Sequence, residues 1–204
     1  MIHFKKLNKI ASSGEESALF DLVYYCRQAL DLVGSGSSRD VFQLSNHRVL
    51  KVAINAFGLS QNKVELDNAV SCDVMVPKVF ETGFVMGPGV SWIVTEYVFP
   101  IDKNEFEQIA SVSFDSFCKE INRLNAESVI FYYGMENAPK RSDGKCPCFE
   151  VEDFTQRVSM FIRHNGLLVG DVLSLHHWGT TVDKRLVLLD SGHSWESGNH
   201  FVDL

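Results

Sequence analysis

The 204-residue sequence predicts an α+β protein of two lobes. Residues 1–98 read as an antiparallel β N-terminal lobe with one inserted helix, and residues 99–204 as a truncated, mostly α C-terminal lobe. Three observations predict this. Between Leu32 and Val98, short segments rich in Val, Ile and Phe are separated by Gly, Ser and Asn turn signals, as in strands joined by tight turns. One stretch inside that run, about Ser60 to Val70, reads as a capped helix. Beyond Pro100 the chain turns helical and remains so to Asn165-Gly166, where a glycine stop ends the pattern.

Taken in order, Ser13-Gly-Glu-Glu16 places a hydroxyl three residues before a glutamate, a reciprocal capping arrangement for a helix start. Leu19, Leu22, Val23, Cys26 and Leu30 then recur at three- and four-residue steps. From Leu32 to Ile54 the segments LVG, DVFQL and HRVLKVAI read as three strands. ETGFVM and VSWIVTEYVF flank Gly87-Pro88-Gly89 and are expected to form a hairpin. That makes about five strands around one helix. In the second lobe a helical run from Phe106 to Asn125 and another from Val151 to Asn165 flank a polar loop. A turn at Asp183-Lys184 and a strand from Arg185 to Leu189 follow.

Composition narrows the function classes. With 45% hydrophobic and 22% charged residues, the chain has apolar side chains enough for a core and does not read as disordered. A formal net charge of -7 without any run of Lys or Arg argues against nucleic acid or an anionic membrane as partner. No apolar run approaches the roughly 18–20 residues of a membrane span, and MIHFKKLNK has no long apolar segment behind its lysines. A cytoplasmic protein is therefore expected. The five cysteines are odd in number and sit mostly in apolar runs, as small hydrophobes do. Cys146-Pro-Cys148 lacks a second pair at zinc spacing, so no metal is expected there.

The residues that carry chemistry begin at Gly34-Ser-Gly36-Ser-Ser-Arg39-Asp-Val41. Glycines between two strands let the backbone approach a phosphate and point amides at it, although alone such a cluster is an ordinary hairpin turn. Lys51 follows on the next strand, between apolar neighbours. A lysine in a partly buried cleft needs a partner to stay charged, and Glu65 on the inserted helix can supply it. In the second lobe Gly170-Asp171 ends one apolar run, a strand end before a loop, and Leu188-Leu-Asp190-Ser-Gly192 ends another. His176 and His177 lie between them; being adjacent, they point to opposite sides of an extended segment, so only one can enter a given site. Trp178 reads as core packing.

In this order the features resemble the protein kinase-like superfamily, most closely the short kinase-like proteins of tailed bacteriophages. The resemblance implies a minimal two-lobe kinase-like fold, with ATP as donor and Mg2+ or Mn2+ as metal. Gly34, Gly36, Arg39 and Val41 correspond to the Gly-rich loop, with arginine in place of its third glycine, at the tip of the loop and within reach of the γ-phosphate. Lys51 corresponds to the lysine that binds the α and β phosphates, and Glu65 to its helix partner. Val94-Thr-Glu96-Tyr97-Val98 is similar to the hinge, so the backbone of Glu96 and Val98 is expected to receive adenine. Asp171 resembles the catalytic aspartate and Asp190 the metal-binding one. His177, before Trp178-Gly179, stands where these proteins carry a carboxamide, which makes it the second expected metal ligand.

Only fourteen residues follow Asp190, so no activation segment or peptide-docking helices are expected. The activity this implies is a minimal ATP- and metal-dependent phosphotransferase, a Ser/Thr kinase acting on a host or partner protein in the host cytoplasm. The alternative is a kinase-shaped module that binds a nucleotide or partner without turnover. A ligand site between two lobes is the default expectation.

Overall fold

The computed structural model describes residues 2–13, 17–72, 74–87, 89–125, 146–167 and 169–189. It is a mixed α+β protein built on antiparallel sheets, and it divides into two compact units. The first holds residues 1–66 with 78–97, the second residues 67–77 with 98–204. The crossing falls inside one helix because Cys72, Met75 and Val76, just beyond its end, are buried in the helical core of the second unit.

The first unit opens with helix α1 (Phe4–Ala11) and helix α2 (Ala18–Ala29), followed by strands β1 (Asp31–Ser35), β2 (Arg39–Ser45) and β3 (Arg48–Ala53). Helix α3 (Ala56–Ser71) comes next, one turn longer at its start than its sequence pattern predicts. Strands β4 (Val79–Thr82), β5 (Val85–Met86), β6 (Gly89–Val90) and β7 (Trp92–Glu96) complete it. The main sheet is antiparallel in the order β1-β2-β3-β7-β4. The expected hairpin forms as β5 and β6, pairing Val85 with Val90 and Met86 with Gly89, with Gly87 in the left-handed region at φ 57°.

Strand alternation decides which face is core. Phe42, Leu50, Val52, Trp92 and Val94 meet Leu7, Ala11, Leu22, Val23 and Cys26 in one apolar cluster. Helices α1 and α2 thus cover that face of the sheet, with Phe4 stacked on Trp92 at 5.2 Å. Sequence reading passed over α1, whose only strong marks are Leu7 and Ala11 four residues apart and both buried. Helix α2 begins after Ser17, whose hydroxyl donates to Asp21 at 2.8 Å. The capping arrangement expected at 13–16 falls largely on residues 14–16, which lie outside the described residues.

Against this cluster sits a buried carboxylate. Asp40 accepts from Arg27 Nε at 2.8 Å and Nη2 at 2.7 Å, and from Ser35 Oγ at 2.7 Å. Burial, and secondarily the Asp40 charge, push the Cys26 thiol up to about 12. The folded protein is accordingly expected to leave Cys26 unlabelled by iodoacetamide at pH 8, with labelling appearing only on unfolding. Because the unfolded thiol ionises first, the stability Cys26 contributes is whole below pH 9 and falls as pH rises toward 12. Rapid native-state labelling of Cys26 would contradict this.

In the second unit, β8 (Phe99–Pro100) leads into helices α4 (Lys103–Ala110) and α5 (Phe114–Leu124). The sequence pattern suggests one continuous helix here, and the structure breaks it. Ser111 turns left-handed at φ 54°, and Ser113 caps a fresh start by accepting from the Ser116 amide at 3.2 Å. Asp102 and Glu105 form a reciprocal capping box at the head of α4. A short 3-10 turn, Pro147–Glu150, precedes helix α6 (Phe154–Asn165), which ends at Gly166 with φ 62°. Then come the short helix α7 (Val169–Val172), a 3-10 turn at Leu175–His177, and strands β9 (Trp178–Thr180) and β10 (Leu186–Leu188). Sheet order is β10-β9-β8, with Phe99 opposite Thr180 and Pro100 opposite Gly179.

Trp178 is buried among aromatic rings, with Phe106, Phe117 and Phe154 at 5.6, 5.8 and 5.6 Å between centroids. Two of the three contacts are edge-on, the arrangement the ring quadrupoles favour. Among the described residues, no helix is long and apolar enough to cross a membrane.

Candidate functional site

In the first unit, backbone pairing brings several expected site residues into one row. Gly34 lies opposite Val41, Val41 opposite Lys51, and Lys51 opposite Ile93. Residues paired across strands share a face, so Gly34, Val41 and Lys51 line the face opposite the α1–α2 core. Arg39, two residues before Val41, shares that face and pairs in register with Ala53.

Helix α3 meets this face with Glu65. Its Oε2 accepts from Lys51 Nζ at 2.6 Å and its Oε1 from Arg39 Nη1 at 2.6 Å. All three residues are buried, at 7, 9 and 5% exposure for Lys51, Arg39 and Glu65. One carboxylate thus bridges two cations, the charge-assisted bonding that a buried charge requires. Asn62 extends the network, accepting from Arg39 at 3.4 Å and donating to the Val90 carbonyl at 3.0 Å.

The expected Lys51–Glu65 pair is therefore formed. Arg39 is found elsewhere than expected: it lies on β2 with its side chain turned to Glu65, not at the tip of the glycine turn. Its place on a strand two residues from Val41 was the available signal.

The turn itself is Gly36-Ser37-Ser38, and its backbone is tied to the start of α3. Asn55 donates to the Ser37 carbonyl at 2.9 Å and accepts from the Gly58 amide at 3.0 Å, acting as a helix cap. Ile54 donates to the Ser38 carbonyl at 2.9 Å, and Ser38 Oγ bonds Gln61. A Cβ on Gly58 would lie 2.1 Å from the Ser38 carbonyl oxygen, so glycine is what permits this approach. Sequence reasoning missed Asn55 and Gly58, although an asparagine before a helix is a recognisable signal. Gly34 and Gly36 differ. A Cβ on either would meet nothing closer than 3.7 Å, and neither is among the described glycines with positive φ. The hairpin alone does not require glycine at these two positions.

At the segment read as a hinge, the Glu96 amide donates to Lys78 O at 3.0 Å and the Tyr97 amide to His47 O at 2.9 Å. The Glu96 carboxylate accepts from the Lys78 amide at 2.9 Å. Two of the three amides from 96 to 98 are thus committed within the first unit.

Val98, counted with the second unit, packs at Gly179: a Cβ there would lie 2.5 Å from Val98 Cγ1 and 2.6 Å from the Phe99 carbonyl oxygen.

Asp171 also lies in the second unit, half-buried on α7, where sequence reading expected the end of a strand. Val169 and Val172 are buried on either side of Gly170-Asp171 and anchor the turn in the core. The last carbonyls of such a helix lack internal donors, and two side chains meet them. His177 Nδ1 donates to the Asp171 carbonyl at 2.8 Å, and Trp178 Nε1 donates to the Val172 carbonyl at 2.8 Å. A carbonyl can only accept, so in the neutral His177 ring the lone pair resides on Nε2.

His176 is exposed and His177 half-buried, in agreement with only one of the pair turning inward. The Leu189 amide donates to the His177 carbonyl at 2.6 Å, which fixes the residue before Asp190 beside the loop. Asp190 itself lies outside the described residues.

Neither a family model nor a curated protein matches the sequence. Solved structures similar to the chain include three aminoglycoside phosphotransferase complexes. A mutant of aminoglycoside 2'-phosphotransferase-IIIa in complex with GDP matches with a TM-score of 0.37 and 15% identity, over 81% of this chain and 66% of that one. APH(2")-IIIa with GDP and kanamycin matches with a TM-score of 0.37 and 11% identity, over 81% and 67%. APH(2")-IIa with streptomycin and ATP matches with a TM-score of 0.33 and 12% identity, over 88% and 71%. The chain spans about two thirds of the length of each.

The two units therefore carry separate groups of expected site residues. Gly34, Gly36, Arg39, Val41, Lys51, Glu65 and Glu96 belong to the first, and Val98, Asp171 and His177 to the second.

Proposed function

We propose that the protein is a nucleotide-dependent phosphotransferase of the protein kinase-like type, acting on a Ser/Thr hydroxyl of a protein substrate. The observation that carries this reading is Glu65 holding Lys51 and Arg39 on the face shared with Gly34 and Val41. Buried ion pairs give little net stability against apolar replacements of the same volume. A pre-positioned lysine beside glycines that the hairpin does not require suits an anionic phosphate ligand.

In this reading Lys51 neutralises the α and β phosphates while Glu65 fixes its direction. Arg39 acts through Glu65, holding that carboxylate in place. Adenine takes the Glu96 carbonyl and the Val98 amide, since the Glu96 and Tyr97 amides donate elsewhere. Asp171 accepts the proton of the substrate hydroxyl as its oxygen bonds to the γ-phosphorus and the bond to the leaving ADP breaks. A divalent metal, when bound, supplies charge neutralisation on the triphosphate. Asp190 offers it an oxygen and His177 its Nε2, a donor set that fits Mn2+ better than Mg2+. The hydrogen bond from Nδ1 to the Asp171 carbonyl orients that ring as a metal-bound histidine requires.

A second reading, a nucleotide-binding module without turnover, draws on the same histidine in place of a carboxamide. Incubation with γ-labelled and, separately, α-labelled ATP in Mg2+ or Mn2+ separates the two. The kinase reading expects transfer of γ label that is lost in Asp171→Ala and Asp190→Ala, and nucleotide affinity that is lost in Lys51→Ala with the fold intact. A thermal shift with ATP and metal but no transferred label supports the module. No label and no shift would sink both readings, and activity surviving Lys51→Ala would remove that residue's role.

A further inference from the structure

Away from these residues, Cys72, Cys146 and Cys148 converge in the core of the second unit, fully buried, with their three sulfurs within 4.8 Å of one another. Cys72 directly follows α3, while Cys146 and Cys148 bracket Pro147 at the start of the 3-10 turn. Two backbone bonds fix the arrangement. The Cys146 amide donates to the Ser71 carbonyl at 2.9 Å, and the Cys148 amide donates to Cys146 Sγ at 3.4 Å. Burial pushes the Cys146 thiol up from its ordinary range, and the Cys148 amide aimed at its sulfur opposes this only in part.

The structure joins Cys72 and Cys148 as a disulfide and leaves Cys146 a free thiol, but the Cα atoms of the joined pair are 7.3 Å apart. A disulfide normally holds the Cα atoms at about 4.4–6.8 Å. A tetrahedral metal with metal–sulfur bonds of about 2.3 Å keeps two sulfurs about 3.8 Å apart and so suits a wider backbone separation. It also engages Cys146, which a Cys72–Cys148 disulfide would leave as a buried thiol.

We propose that Cys72, Cys146 and Cys148 form a thiolate site for a soft divalent cation of the zinc class. The spacing Cys-Pro-Cys predicts no such site because the third ligand comes from 76 residues before Cys148. A small-molecule dithiol first opens the Cys72–Cys148 bond by thiol–disulfide exchange and is itself oxidised to its disulfide; binding then deprotonates three thiols and releases their protons to solvent, and water or another donor completes the tetrahedron. The ion ties the end of α3 to the turn that precedes α6. This proposal stands independently of the phosphotransferase reading.

The test uses the full chain purified in reductant without chelator. Elemental analysis is expected to find about one zinc per chain. After metal removal, cobalt titration under reducing conditions is expected to give a thiolate-to-cobalt charge-transfer band together with tetrahedral visible bands. Cys146→Ser is expected to weaken cobalt binding about tenfold or more, the least that changes in a metal site usually cost, while Cys118→Ser leaves it unchanged. The wild-type titration decides the matter even if a variant fails to fold. A cobalt complex without the charge-transfer band, or one undiminished in Cys146→Ser, would overturn the proposal. So would a Cys72–Cys148 disulfide that persists in reductant with no metal bound.

Discussion

Glu65→Ala is expected to lower the unfolding free energy by about 3–5 kcal/mol, the usual cost of removing one member of a buried charge pair. Two cations depend on that carboxylate, Lys51 and Arg39, each at 2.6 Å from a different oxygen. Its removal gathers two positive charges in a region of low dielectric, where their repulsion adds to the loss of both hydrogen bonds. Lys51→Met should cost clearly less, because Glu65 keeps Arg39. Urea denaturation of the two variants at neutral pH measures the difference. Equal losses would show that the carboxylate is not shared in the way the distances indicate. Nucleotide affinity is expected to vary in a different order: Lys51→Met abolishes it while stability is largely kept. Rescue by Lys51→Arg should be incomplete, since a planar fork replaces a point charge beside a guanidinium already in place.

In the helical unit, Trp178→Ala is expected to cost about 3–5 kcal/mol, as large aromatic truncations in cores do. The ring touches Phe106, Phe117 and Phe154, and its indole N–H satisfies the Val172 carbonyl at the end of α7. Deleting it opens a cavity and frees the turn that carries Asp171. Trp178→Phe separates the two contributions: it keeps most of the packing and loses the hydrogen bond, for a net cost of about 1–2 kcal/mol including the size change. Thermal unfolding followed by far-ultraviolet circular dichroism reads both. A Trp178→Ala variant with an unchanged midpoint would contradict the packing described.

The sequence made the first unit legible because its signals are local. Period-two segments between Gly, Ser and Asn turns mark β1, β2 and β3, and the Gly87 turn marks β5 and β6. Lys51 and Glu65 could be paired because a charge expected in a cleft needs a counter-charge. Arg39 was harder, since a glycine-rich stretch draws the eye to a loop while strand parity governs the side chain. The break between α4 and α5 was hidden by an apolar period that continues through Ser111-Val112-Ser113. Asp171 reads as extended because Leu167 to Leu175 is largely apolar, and such a run does not distinguish a buried strand from a buried helical turn. Cys72 gave no signal at all: nothing within its neighbourhood in sequence says that it will meet Cys146 and Cys148.

The small sheet of β8, β9 and β10 joins parts of the chain on two different length scales. Strands β9 and β10 are separated by a five-residue turn, whereas Phe99 of β8 meets Thr180 of β9 across about eighty residues. Closing so long a segment carries a large entropy cost that is recovered only when the intervening helices have condensed. The hairpin is thus expected to form early in folding and β8 to dock late, so Phe99 and Pro100 acquire their native pairing among the last events in the folding of the second unit.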